Sequence, residues 1–142
     1  MILVDANLLL YATIRESPQH GKALEWLQDR MDATPRVGLP WPSLLAFVRI
    51  STNPRISRSP LPVARAWEQV TDWLDRPSIW VPAPTERHAA ALGTMLQTAG
   101  LRSNDVADAH LAALSIEHGL TLCSADAGFA RFRGLRWENP LE

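Results

Sequence analysis

Four aspartates carry most of the chemical content of this sequence. Asp5 breaks off the apolar run Ile2-Leu3-Val4, Asp126 follows three residues after Cys123 at the end of a second apolar run, and Asp105 and Asp108 open an alanine- and leucine-rich segment. Being three apart, Asp105 and Asp108 share one face of a helix. Carboxylates gathered in one crevice repel each other and raise each other's pKa. A hard divalent cation removes that conflict. Mg2+ takes oxygen ligands, keeps several waters and is held by one or two carboxylates together with substrate phosphates, and Mn2+ suits the same donors. Such an ion can activate a water and stabilise the charge that builds on a phosphodiester. Each aspartate also has a plainer use: Asp105 suits a helix N-cap, and Asp126 suits a turn with Gly128. Asp5 and Asp108 resist that reading. Asp5 ends a strand-like run, Asp108 sits among apolar residues, and the sole lysine, Lys22, is distant in sequence. A buried ionised group must be paired or bound to metal.

Other reactive side chains form weaker patterns. Arg49, Arg55 and Arg58 cluster around the segment Ser51–Pro62, and arginine forks suit phosphate, so Arg49 and Arg55 are candidate contacts to an RNA backbone or, equally, local structural ties. Arg102, Arg131 and Arg133 are lesser candidates. His110 and His118 have no second histidine at metal-ligand spacing, which argues against a histidine zinc site. His110 reads as a hydrogen-bonded helix residue. Cys123 reads as a small core residue. No serine stands in a nucleophile elbow.

The elements that must position these groups alternate in type. Ile2–Val4 reads as a buried strand, with Leu8–Tyr11 helix-like behind it. Ser17-Pro18 reads as an N-cap with proline at the first helical position, so Pro18 to Asp32 is expected to be a helix. Val37–Leu39 is a candidate strand, and the next helix is expected from about Ser43, braced by Trp41. Ser51 to Pro62 reads as a loop. Val63, Trp67, Val70 and Leu74 form an amphipathic stripe. Ile79–Val81 is a strand candidate, and Thr85 can cap a helix carrying Ala89, Leu92 and Leu96 that Gly100 ends. Asp105 to His118 reads as a buried central helix stopped by Gly119. Leu120–Cys123 is a strand, and a last strand is expected near Leu135–Trp137. Strands alternating with helices imply an α/β fold: a three-layer α/β/α sandwich around a mainly parallel sheet. In such sheets ligands bind beyond the carboxyl ends of the strands, the edge to which Asp5, Asp126 and the Asp105–Asp108 helix all report.

Length and composition bound the alternatives. A chain of 142 residues, 46% hydrophobic and 20% charged, reads as one folded domain over residues 1–142. With 14 basic and 15 acidic residues, binding nucleic acid through overall charge is excluded, although a local basic patch is not. One cysteine builds neither a disulfide framework nor a cysteine zinc site. No apolar run is long enough to span a membrane. The start, MILVDANLLL, lacks a basic leader and carries Asp5 and Asn7, so it reads as folded structure in a cytoplasmic protein. Most of the six tryptophans suit core packing, with some left as anchors for a partner.

Three ordered blocks of sequence resemble the PIN-domain family, and within it the VapC-type toxins of bacterial toxin–antitoxin pairs. They are Met1-Ile-Leu-Val-Asp5-Ala-Asn7-Leu-Leu-Leu-Tyr11, then Phe47-Val-Arg49-Ile-Ser-Thr-Asn53-Pro54-Arg55, and finally Asp108-Ala-His-Leu-Ala-Ala-Leu with Ser124-Ala-Asp126-Ala-Gly-Phe129. They span nearly the whole chain. The resemblance implies a Mg2+- or Mn2+-dependent ribonuclease, neutralised by a cognate VapB-type antitoxin and usually a homodimer. It places Asp5, Asp108 and Asp126 at acidic positions of the metal site, with Asn7 and Ser124 as small polar supports. One departure stands out. The family commonly has a glutamate on the helix after the second strand, where this chain reads Leu44-Leu45-Ala46-Phe47-Val48-Arg49, with Ala46 or Phe47 in the glutamate's place. Asp105 is the candidate replacement. The departure also motivates a second reading, a PIN-fold module that binds antitoxin or RNA without turnover. A phosphoacceptor receiver domain shares the layout, but its pattern includes a lysine after the last strand, which is missing here.

Overall fold

The computed structural model describes residues 1–33 and 36–142. Five short strands form one sheet: β1 (Ile2–Val4), β2 (Val37–Gly38), β3 (Ile79–Trp80), β4 (Thr121–Cys123) and β5 (Trp137–Glu138). All pair in parallel, in the order β3-β2-β1-β4-β5. The chain thus winds outward from β1 to one edge, then returns to the centre and winds to the other. The reversal lies between β1 and β4, where Ile2, Leu3 and Val4 face Thr121, Leu122 and Cys123. Parallel strands buried on both faces need continuous apolar runs, which is why Ile-Leu-Val and Leu-Thr-Leu-Cys serve here.

Helices cover both faces. On one side lie α1 (Ala6–Thr13), α2 (His20–Asp32), α3 (Trp41–Ser51) and α4 (Val63–Leu74), packed with Ile2, Val4, Val37 and Cys123. On the other lie α5 (His88–Leu96) and α6 (Val106–His118), packed with Leu3, Leu122, Phe129 and Phe132. Alternation along β1, with Leu3 facing opposite to Ile2 and Val4, ties the two cores together. The three-layer α/β/α arrangement therefore matches expectation.

Several boundaries move, each for a local reason. Ser17 does not cap α2. Its hydroxyl bonds Gln19 in a turn, and the helix begins at His20. Thr85 accepts from the Arg87 N–H rather than capping a helix directly, and α5 runs only from His88 to Leu96, well before Gly100. α3 begins at Trp41, with Pro42 in its first turn, where a missing N–H costs nothing. The last strand falls at Trp137–Glu138. Gly119 does end α6, in the left-handed conformation at φ 67°.

The α4 stripe is rotated from the one expected. Ala66, Val70 and Trp73 are buried, whereas Val63 and Trp67 are exposed. Trp67 stacks on Trp41, also exposed, with ring centroids 6.3 Å apart. Trp73 instead meets Phe47 edge-on at 4.8 Å, deep in the core.

Candidate functional site

Asp5 stands at the carboxyl end of β1 and serves as the N-cap of α1, its Oδ1 accepting the Ala6 N–H at 2.8 Å. Its other oxygen is fixed from the neighbouring strand. Ser124, the residue after β4, donates Oγ to Asp5 Oδ2 at 2.7 Å. Asn7 spans the same gap: its Nδ2 reaches Asp5 Oδ2 at 3.3 Å and Ser124 Oγ at 3.0 Å, and its Oδ1 accepts the Ala125 N–H. The Ser124 hydroxyl also accepts the Asp126 N–H at 3.0 Å. These bonds knit the ends of β1 and β4 into one polar network at the place where the winding reverses, the usual ligand position in open parallel sheets.

Asp108 comes in from the first turn of α6, where the helix dipole favours a negative charge. With Asp5, Asn7, Ser43, Ala46 and Ile50 it lines a crevice of about 250 Å³ between α1, α3 and α6. Its carboxyl is pushed up to about 6 by burial first, then by the charges of Asp5 and Asp126, with Arg131 pulling the other way. Burial raises Asp5 as well; the Ser124 and Ala6 hydrogen bonds oppose the rise, and the Asp126 charge adds to it. The charges of Asp5 and Asp126 thus both act on Asp108, and that of Asp126 acts on Asp5. That is the electrostatic frustration a cation relieves.

Asp126 takes the turn role with Gly128 and is not among the residues lining the crevice. Its Oδ1 accepts the Gly128 N–H at 2.8 Å and caps the short 3-10 turn Ala127–Arg131, while its charge acts on Asp5 and Asp108. Asp105 is not among the residues lining the crevice. Its Oδ2 accepts the Arg102 N–H at 2.9 Å, and its Oδ1 pairs with Arg131 Nη2 at 3.1 Å. Those two contacts hold its carboxyl below the usual range. The same Arg131 nitrogen lies 3.7 Å from Asp108 Oδ2, so Arg131, a lesser candidate on sequence, is the cation next to the acids. Arg49 and Arg55 are exposed and make no ion pair among the described residues.

On α3, Ser43, Ala46 and Ile50 face the crevice at positions spaced by three and four. Ala46, rather than the fully buried Phe47, therefore stands on the wall where an acid is missing. No three His, Cys, Asp or Glu side chains among the described residues are close enough to cage an ion by themselves. The donor set fits a hydrated hard cation instead, held by one or two carboxylates through oxygen.

The histidines form a separate arrangement. His88 Nδ1 meets the buried Glu117 carboxylate, and His88 Nε2 lies 3.0 Å from His110 Nδ1. Glu117 also accepts the Thr85 N–H at 2.6 Å. This cluster joins α5 to α6, and His110 is the hydrogen-bonded helix residue expected. Burial pushes the Cys123 thiol up to about 12, in keeping with an inert core residue.

Comparison with known proteins adds the following. The PIN domain family model matches residues 2–135. Ribonuclease VapC37 of Mycobacterium tuberculosis is 46% identical over 140 residues, covering 99% of this chain and 97% of that protein. Ribonuclease VapC33 of the same species is 40% identical over 141 residues, covering 99% of each. Among solved structures, VapBC2 from Rickettsia felis, bound to a DNA fragment from its promoter, aligns with a TM-score of 0.66 at 19% identity over 98% of both chains. FitAcB from Neisseria gonorrhoeae aligns with a TM-score of 0.64 at 20% identity over 99% of this chain and 98% of that one.

Proposed function

The chain belongs to the PIN-domain family, and from that membership we propose that it is a divalent-metal-dependent endoribonuclease, the toxin of a VapBC-type toxin–antitoxin pair. The observation that carries the proposal is the pair Asp5 and Asp108 lining one crevice at the β1–β4 reversal, with Asp108 raised by burial first and then by the charges of Asp5 and Asp126. Relatives named as VapC ribonucleases, alike over nearly their whole length, support the same reading.

In this reading Asp5, Asp108 and Asp126 hold the ion, Mg2+ or Mn2+. When bound, it supplies Lewis-acid activation of the phosphodiester and of the attacking water. The chain's own part is positioning. Ser124, Asn7 and the Ala6 N–H fix the rotamer of Asp5. Arg131 offsets part of the acid charge without closing the crevice. Asp105 assists by holding Arg131 in place. Arg49 and Arg55, exposed at the end of α3 and in the segment after it, take the RNA phosphates. The partners are an RNA substrate, a VapB-type antitoxin and a second copy of the chain, in the cytoplasm. No helix of the described residues is long and apolar enough to cross a membrane. Residues 1–142 are taken as a single domain.

The test is Asp108→Asn. Cleavage of RNA in Mg2+ or Mn2+ is expected to fall to background while the circular dichroism spectrum is unchanged; full activity in that variant refutes the assignment. A second reading, a binding module without turnover, is favoured by one observation: the α3 wall presents Ser43 and Ala46 in place of an acid. It predicts that antitoxin or RNA still binds, measured by calorimetry, with no RNA cleavage at any Mg2+ or Mn2+ concentration.

A further inference from the structure

Ser43 is only 1% exposed, and its Oγ is one of three buried side-chain polar atoms without a hydrogen-bond partner among the described residues. The other two, on Trp80 and Ser115, lie outside the crevice. Leaving a buried hydroxyl unpaired costs stability, and α3 gives this one no local outlet. The helix is capped by Pro40, whose carbonyl already accepts the Ser43 and Leu44 N–H groups. Further along the same helix, Ser51 Oγ and Thr52 Oγ1 both bond back to the Val48 carbonyl, as hydroxyls on helices ordinarily do. Ser43 does not, and it shares its crevice wall with Asp5 and Asp108.

We infer that Ser43 is a positioning residue for the ion: its hydroxyl completes the α3 side of the crevice as hydrogen-bond partner to the water shell of a divalent cation held by Asp5 and Asp108. This rests on the proposed metal-dependent reading. A single hydrogen bond from this hydroxyl to a water of that shell does by direction what a carboxylate on this wall would do by charge. Hydrated ions of the Mg2+ type leave waters to be fixed in this way, and partners of the coordination shell commonly govern affinity by about 10- to 100-fold. Asp105, with its oxygens turned to Arg102 and Arg131, is not available on this side.

The experiment titrates Mn2+ into the metal-free full-length protein by calorimetry and follows melting with and without Mn2+. It uses wild type, Ser43→Ala, Ser43→Thr and Asp108→Asn. Ser43→Ala should melt no lower than wild type without metal, because an unpaired hydroxyl has been removed, yet bind Mn2+ about tenfold more weakly. Ser43→Thr, which keeps the hydroxyl, should restore affinity toward wild type. The inference is overturned if Ser43→Ala changes Mn2+ affinity by less than about threefold. It is equally overturned if that variant melts lower without metal, since the hydroxyl would then have an internal partner. If wild type binds Mn2+ and Asp108→Asn abolishes binding while Ser43→Ala is normal, only this inference fails. If wild type and Asp108→Asn both fail to bind, the metal-dependent reading fails with it.

Discussion

Asp108 makes stability run opposite to the usual surface carboxylate. Its folded pKa, about 6, lies above the ordinary 3.8. The folded state therefore holds the proton more tightly than the unfolded state, and stability falls as pH rises between those two values. Without metal, calorimetry should find this group favouring the fold at about pH 5 over about pH 7.5, and Asp108→Asn should flatten that slope and raise Tm at the higher pH. A slope unchanged in the variant would mean that other groups set it. Ser124 makes a complementary case. Its hydroxyl bonds Asp5, Asn7 and the Asp126 N–H together, so Ser124→Ala should lower RNA cleavage by about 10- to 100-fold, with Ser124→Thr recovering part of it; wild-type rates in Ser124→Ala would remove the positioning role. Asp5 and Asp108 were legible in the sequence because a carboxylate that interrupts an apolar run demands a reason. Ser43 was not legible: a serine at the start of a helix is common, and only the lack of any partner in three dimensions sets it apart. Arg131 carries no such signal, because its nearness to Asp105 and Asp108 arises from the packing of the 3-10 turn after β4, not from sequence spacing.

Helix ends and faces show where reasoning by pattern succeeds and where packing overrides it. Gly119 and the apolar strand runs were readable since each rests on a local steric or solvation rule. The buried face of α4 departs from the sequence stripe by part of a turn because Val63 and Trp67 are apolar but face outward; hydrophobic residues do not all go inside. The α5–α6 join was not anticipated either, since Glu117 lies in what reads as an ordinary helix end. Glu117 is held below its normal pKa, burial opposing and the Thr85 and His88 hydrogen bonds outweighing it. A lowered folded pKa supports the fold above the unfolded value of 4.5 and ceases to do so as pH drops through the folded pKa. Glu117→Ala, which leaves His88 and the Thr85 N–H unanswered, should cost about 3 kcal/mol at neutral pH. Urea unfolding measures this, and a loss below about 1 kcal/mol would show that water replaces the carboxylate.

Over the whole molecule, the order of strands decides where the chemistry can be. The β1–β4 reversal opens a crevice between helices on opposite faces, and Asp5 and Asp108 line it from positions more than a hundred residues apart in the chain. The alternating pattern of elements made the sheet type readable, but the strand order depends on long-range pairing that composition does not encode. An apolar feature suited to self-association lies on the α3–α4 face: stacked Trp41 and Trp67, with Leu45 and Val63 exposed one turn along α3 and α4. Tryptophan is over-represented where interfaces gain their energy. If the proposed homodimer uses this face, Trp67→Asp should sediment as a monomer with its helical spectrum intact, whereas a dimer of unchanged size would exclude the face.

Both rims of the sheet, β3 and β5, are only two residues long, and prolines follow each within a few residues. Such stubs expose too little free backbone to template another chain. Strand augmentation is thereby closed off as a way of recruiting a neighbour, whether an inhibitor tail or a twin. Recognition through side chains on the helical flanks would let partner choice drift by point substitution without disturbing the ladder that aligns the acids.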